Sequence, residues 1–204
     1  MENFDSTYQK FLQILGTEQF YPQQTKEECL YLYNTLKQSF NIDGEIAEVG
    51  VYEGGSAFFI NQFKSINKKL YLFDTFSGFQ DVGNFDNTQI LWNGKLASDC
   101  YERLKYLFRH DNVEIVKGFF PDSASDDFKN KKFSFVHLDA DTYNSTLQSI
   151  FFFWSRMNRG GVILVHDYIN DHAPGVKKAL DEFMSDKNEM IITTKTSQAF
   201  IIKA

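Results

Sequence analysis

Two short strings contain the residues of this chain that are best suited to chemistry. One is His137-Leu138-Asp139-Ala140-Asp141-Thr142-Tyr143, and the other is Val165-His166-Asp167-Tyr168. Each follows an apolar run that reads as a strand, so Asp139, Asp141, His166 and Asp167 should meet at one rim of a sheet. Carboxylates gathered without a neighbouring lysine or arginine repel one another. A divalent cation relieves that repulsion, and oxygen-rich ligation suits Mg²⁺ or Mn²⁺. Asp141 also suits an N-cap for a helix starting near Tyr143.

A second constellation lies upstream. Glu48-Val49-Gly50-Val51-Tyr52-Glu53-Gly54-Gly55-Ser56 follows the first candidate strand. Gly50 and Gly54 permit a tight turn and close approach to a ligand. The helix beginning there offers unpaired N–H groups to an anion, and Glu48 is placed to meet a cation such as an α-amino group. A second strand ends at Asp74, 26 residues after Glu48, near the separation expected for a carboxylate that receives ribose hydroxyls. Glycines and acids together fit an adenosine-containing ligand. NAD is open at this point, as is an N-capping role for Asp74.

These residues need a frame. Strands are expected at Glu45–Val49, Lys69–Phe73, Val113–Val116, Phe133–Leu138 and Val162–Val165, with helices between them, one running from about Tyr143 to Met157. Met190–Thr194 and Gln198–Ile202 read as an antiparallel hairpin, and Gly160-Gly161 as the turn into the fifth strand. The expected fold is α/β, a doubly wound, mostly parallel seven-stranded sheet ending in that hairpin, in which ligands bind beyond the strands' carboxyl ends. Residues 1–40 read as a helical cover with Phe11, Leu15, Leu30, Tyr33 and Leu36 on apolar faces, broken near Pro22. Residues 78–96 are too long for an ordinary connection and read as a lid; Phe79, Phe85, Trp92 and Asn93 there suit a ring-shaped ligand, and the aromatics among them equally suit tying the loop to the core.

Composition sets the outer bounds. With 204 residues, 43% hydrophobic, the chain is long enough for one domain, residues 1–204, with a sizeable core. A net charge of −6 disfavours nucleic acid as a partner. Cys29 and Cys100 stand in no metal or redox spacing and are expected as free thiols in a reducing cytoplasm. The sequence shows no secretory leader and no apolar run that could span a bilayer, so no membrane partner is expected. The apolar N-terminal helices offer a homodimer contact.

The strings E-V-G-V-Y-E-G-G-S, L-F-D-T-F-S-G-F, V-K-G-F-F-P-D-S, H-L-D-A-D-T-Y-N-S-T and G-G-V-I-L-V-H-D-Y together resemble the macrocin O-methyltransferase group, whose members include enzymes acting on sugar hydroxyls of macrolide and aminocoumarin antibiotics. The resemblance runs from about Glu45 to about Phe183. It implies a class I methyltransferase fold, S-adenosylmethionine as cofactor, a divalent metal, and a small-molecule acceptor bearing a sugar hydroxyl. It also implies roles. Glu48, Gly50, Gly54, Gly55 and Ser56 would hold the methionine end, Asp74 and Thr75 the ribose, Gly118 and Phe119 the adenine side. Asp139 would lie beside the cofactor and, with His166 and Asp167, ligate the metal; Asp141 would be the general base.

The family usually carries two successive acids where this chain has His166-Asp167, a change that shifts metal preference toward softer ions. The chain is also shorter than typical members, which implies a reduced lid and acceptor pocket. Two other readings are an NAD-dependent dehydrogenase, which lacks an evident Tyr-x-x-x-Lys pair here, and a binding or interaction protein that has lost catalysis.

Overall fold

The computed structural model describes residues 4–18 and 23–204. Its centre is a seven-stranded sheet. In chain order the strands are β1 (Glu45–Val49), β2 (Leu70–Asp74), β3 (Val113–Lys117), β4 (Phe133–Leu138), β5 (Met157–Val165), β6 (Ile192–Thr193) and β7 (Ala199–Ile202). Their spatial order is β3-β2-β1-β4-β5-β7-β6. Strands β1 to β5 are parallel, and β7 runs antiparallel to both β5 and β6. Strand order reverses between β1 and β4, which opens a crevice at their carboxyl ends.

The helices are α1 (Phe4–Glu18), α2 (Lys26–Gln38), α3 (Gly55–Phe63), α4 (Tyr101–Leu107), α5 (Tyr143–Trp154) and α6 (Pro174–Met184). Side chains alternate along each strand, so the sheet feeds two cores. Ile46, Leu72, Phe135 and Leu164 pack beneath α1 to α4, while Val49, Phe73, Val136 and Val165 pack beneath α5 and α6. Phenylalanines lock both layers: Phe11 meets Phe59 edge-on at 4.8 Å, and Phe73 meets Phe120 at 4.7 Å. Each fully buried ring of this kind contributes about 2–3 kcal/mol of hydrophobic stabilisation.

Several element boundaries differ from the sequence expectation. Helix α5 stops at Trp154, and β5 starts at Met157, five residues before the expected Val162. The Gly160-Gly161 pair therefore lies within β5. There the pairing with β4 jumps from Phe133↔Met157 to Phe135↔Val162, and Gly160 takes the left-handed φ of +83° that such a bulge requires. The β6 strand shrinks to two residues because it is an exposed edge with one pairing partner. The expected break at Pro22 and the side chain of Leu15 fall outside the described residues. Cys29 and Cys100 are both buried and unpaired with each other. Among the described residues, no helix is long and apolar enough to cross a membrane.

Candidate active site

A cavity of about 290 Å³ opens at the carboxyl ends of β1, β2, β4 and β5. Its first wall is built from backbone. The chain leaves β1 through Gly50, whose φ of +84° turns it sharply, and Val51 and Tyr52 then donate their N–H groups to Asp74 Oδ2 at 2.7 and 2.8 Å. Asp74 Oδ1 accepts from the Phe76 N–H at 2.6 Å. This carboxylate thus holds the turn in place and still faces the cavity. Gly54 precedes α3 in the left-handed region, and no side chain caps that helix. The first-turn N–H groups of α3 are therefore open beside Gly55 and Ser56, which line the cavity.

The two glycines are needed for different reasons. A Cβ on Gly50 would sit 1.9 Å from the Asp139 carbonyl oxygen, so this glycine lets the β1 and β4 rims touch. A Cβ on Gly54 would meet Leu104 at 2.4 Å. Gly54 does not line the cavity, and its absent side chain makes room for α4 rather than for a ligand.

Glu48 also departs from expectation. It has the same strand parity as Ile46, so its carboxylate points beneath the helices, not into the cavity. It is fully buried, with Oε1 2.8 Å from His137 Nδ1 on the neighbouring strand. Burial raises its pKa, against the pull of His137. An ammonium-binding role at the strand end does not fit this placement.

The second wall is built from ionisable side chains. Asp139, His166 and Asp167 each offer a donor atom, and all three atoms lie within 4.8 Å of one another. His166 Nδ1 is 3.1 Å from Asp139 Oδ1 and 2.9 Å from Asp167 Oδ2. On its other side, Nε2 lies 3.6 Å from Glu28 Oε1. Burial opposes charge on the imidazole, but these carboxylates outweigh it and hold its pKa well above the usual range. Burial would raise Glu28, yet His166, Ser197 and Thr25 bring it down to about 2. Asp167 is likewise held down by His166 against burial.

Asp141 behaves in the opposite way. Burial, then the charges of Asp139 and Asp167, push its carboxyl well above the usual range. It sits in the left-handed region with φ of +60°, as do Asp167 at +59°, Tyr52 at +49° and Leu96 at +62°. All four line the cavity, and backbone strain of this sort concentrates where a side chain must be aimed. Asp141 does not cap α5. Thr142 does, accepting from the Ser145 N–H at 3.4 Å.

Residues 77–97 fold over the cavity mouth as a closed loop, with Ser77 and Ala97 bridged. Two aspartates tie it to the start of α5. Asp81 accepts from Thr142 Oγ1 at 2.9 Å and Ser145 Oγ at 2.8 Å, while Asp86 accepts from the Tyr143 N–H at 2.8 Å. Thr75 starts the loop by donating to the Gly78 carbonyl at 2.9 Å. Of the four loop residues singled out in the sequence, Phe79 lines the cavity. Phe85 packs on Tyr143, Trp92 lies beneath Lys95, and the Asn93 side chain accepts from the Val82 N–H.

The remaining expected residues, Thr75, Gly118, Phe119 and Asp139, line the cavity as well. Sequence reasoning missed Gln24, Glu28, Asp81 and Asp86. The partners that bring them to the cavity lie many tens of residues away; Glu28 carries one local signal, a Thr-x-x-Glu capping box with Thr25, but that spacing marks a helix start and not a site. Lysine and arginine are absent from the described residues that line the cavity. Asp139, Asp167 and, from behind, Glu28 converge on the His166 imidazole, and the donor set Asp139, His166 and Asp167 fits a divalent cation.

A family model described as macrocin O-methyltransferase matches residues 32–197. Among curated proteins, 8-demethyl-8-(2,3-dimethoxy-alpha-L-rhamnosyl)-tetracenomycin-C 4'-O-methyltransferase of Streptomyces olivaceus is 27% identical over 146 residues, 64% of this chain and 55% of that protein. The chain spans 55 to 61% of the length of the curated relatives it matches. Among solved structures, a calicheamicin methyltransferase superposes with a TM-score of 0.74 at 15% identity, covering 99% of this chain and 94% of that one. An O-methyltransferase from Bacillus cereus in complex with SAH gives 0.61 at 15% identity, covering 100% and 93%. At these identities the likeness establishes the fold.

Proposed function

The chain belongs to the macrocin O-methyltransferase family, and from that premise we propose that it methylates a hydroxyl of a small glycosylated molecule, using S-adenosylmethionine and a divalent cation. The observation that carries this reading is the convergence of Asp139, His166 and Asp167 within 4.8 Å, beside Asp141 and across the cavity from a backbone-built turn. The sugar-linked acceptor is supported by the rhamnosyl substrate in the name of the Streptomyces olivaceus relative. The cofactor is supported by the family and by the SAH held in a neighbour of the same fold.

Gly55, Ser56 and the open N-terminus of α3 are suited to a carboxylate, as is Asp74 to hydroxyls through its remaining lone pairs. Gly118 and Phe119 would flank the adenine. S-adenosylmethionine would supply a methyl group already activated by its sulfonium. Asp139, His166 Nδ1 and Asp167 would hold the cation, which lowers the pKa of a hydroxyl and orients it. Asp141 would take the hydroxyl's proton on its carboxylate. Its raised pKa is caused partly by the charges of Asp139 and Asp167, so a cation shared by those two residues would favour the ionised, basic form. The 77–97 loop, tied down by Asp81 and Asp86, would exclude water.

A second reading comes from the same contacts. With Nδ1 2.9 and 3.1 Å from two carboxylates, the His166 imidazolium would itself take the cation's place. Calorimetric titration of S-adenosylhomocysteine, with Mn²⁺, with Mg²⁺ and with chelator, separates these. We expect micromolar binding that Asp74→Ala weakens at least tenfold, and methyl transfer to a glycosylated acceptor that chelator abolishes. Turnover unaffected by chelator would favour the imidazolium. Absence of S-adenosylhomocysteine binding by folded protein would sink the cofactor assignment.

A further inference from the structure

Residues 24–28 reach the acid wall from outside the segment that matches the family, which begins at residue 32. Gln24 is buried, 6% exposed, and its Nε2 donates to Asp139 Oδ2 at 3.0 Å. An ionised carboxylate only accepts, so this contact fixes which way the amide points. The other end, Oε1, is buried with no hydrogen-bond partner. Gln24 is therefore committed to Asp139 at the expense of its own carbonyl oxygen.

Glu28 is fixed from both sides. Its Oε2 accepts from the Thr25 N–H at 2.8 Å and Thr25 Oγ1 at 2.9 Å, and its Oε1 accepts from Ser197 Oγ at 2.7 Å. That places Oε1 3.6 Å from His166 Nε2. At 3.6 Å the contact is longer than a hydrogen bond; once a cation takes Nδ1, the one remaining ring proton would sit on Nε2, on the Glu28 side. An outer carboxylate on that side orients a metal-binding histidine.

We propose that Gln24 and Glu28 are positioning residues of the cation centre, the first holding Asp139 and the second holding His166 in ligating orientation. The inference rests on the divalent-cation reading above. It gives the N-terminal segment a defined role, in which the start of α2 completes a site whose ligands all come from the sheet. The helix cap and the centre share one side chain, because Glu28 closes the capping box with Thr25.

The test is Mn²⁺ binding by calorimetry to the unaltered chain, Gln24→Leu and Glu28→Gln, with S-adenosylhomocysteine affinity and melting temperature measured in chelator as controls. Glu28→Gln retains an oxygen for the Thr25 N–H, so the start of α2 stays capped while the charge facing His166 is lost. Each variant is expected to bind Mn²⁺ about 10- to 100-fold more weakly with S-adenosylhomocysteine affinity unchanged, while Glu28→Gln also lowers the melting temperature in chelator because the carboxylate that His166 holds down is lost. Undiminished Mn²⁺ affinity in both variants overturns the inference and leaves the cation reading standing. Loss of S-adenosylhomocysteine affinity in chelator also overturns it, because the residues would then serve general packing. No Mn²⁺ binding by the unaltered chain overturns the cation reading and this inference together.

Discussion

The two walls of the cavity are made of different materials. Beneath β1 and β2, the wall is peptide backbone: N–H groups of Val51, Tyr52 and Phe76 converge on Asp74, and an uncapped helix starts at Gly55. Beneath β4 and β5, it is carboxyl groups and one imidazole, with Asp141 pushed up and Asp167 and Glu28 held down. The backbone wall is assembled by contacts between adjacent strands and needs little from elsewhere. The ionisable wall depends on distant supports, with Gln24 115 residues from Asp139 and Glu28 169 residues from Ser197. A wall of backbone dipoles fixed around one carboxylate is suited to holding a ligand, whereas a wall of coupled charges is suited to moving a proton.

Asp141→Asn should sharpen that division most. The substitution keeps the shape but removes the carboxylate proposed to accept the hydroxyl's proton, and kcat should fall about 10²- to 10⁴-fold. Calorimetry should show S-adenosylhomocysteine binding within twofold of the unaltered chain. If binding falls in step with kcat, the walls are not functionally separate.

Gly50→Ala should break the division, because Gly50 is where the walls touch. The new Cβ would lie 1.9 Å from the Asp139 carbonyl oxygen, at a φ of +84°. A clash with backbone in the left-handed region cannot be relieved by a rotamer change, so a loss of about 3 kcal/mol is expected from the urea midpoint. Ligand and metal affinities should fall together. A stable variant that loses affinity for one alone would show that the contact does not couple them.

Asp81→Ala tests the roof over both walls. It removes the acceptors of two part-buried hydrogen bonds, from Thr142 and Ser145, at the edge of the loop and outside both cores, so melting temperature should move by only a few degrees. KM for the acceptor should rise about tenfold as the loop loosens, with kcat less affected. An unchanged KM would mean that Asp86 and Phe85, through Tyr143, hold the loop without the Asp81 side chain.

How much of this was legible in the sequence follows the same division. The succession of strands and helices, the glycine turn and the acids at the ends of β2, β4 and β5 are local signals, and the cavity collects Gly50, Asp74, Asp139, Asp141, His166 and Asp167. Glu48 misled because one residue of strand parity decides between cavity and core, and the paired His137 that satisfies it sits 89 residues away. Gly54 makes the expected turn, at a φ of +88°, but its ligand-facing role misled because the neighbour it accommodates, Leu104, belongs to another helix. Gln24 and Asp81 look like any polar loop residue until the fold brings their partners to them. The boundaries of β5 were hidden by its bulge, where a glycine pair that ordinarily signals a turn lies inside a strand.

The smallest effect separates the roof's aromatic residues. Trp92 is 56% exposed, and the Lys95 ammonium lies 4.9 Å from the centre of its ring. A cation–π contact at an exposed site is worth about 0.5–1 kcal/mol, and Trp92 does not line the cavity. Trp92→Ala should therefore change acceptor KM by less than twofold and leave the melting temperature nearly unmoved. Phe79 differs because it forms part of the wall, and its loss removes apolar surface that a sugar ring would cover. Phe79→Ala should raise acceptor KM about tenfold, measured against the same glycosylated acceptor. If Trp92→Ala proves the more damaging, the loop must re-close around the acceptor with Trp92 turned inward, and the ring-binding surface expected from the sequence would form only in the loaded enzyme.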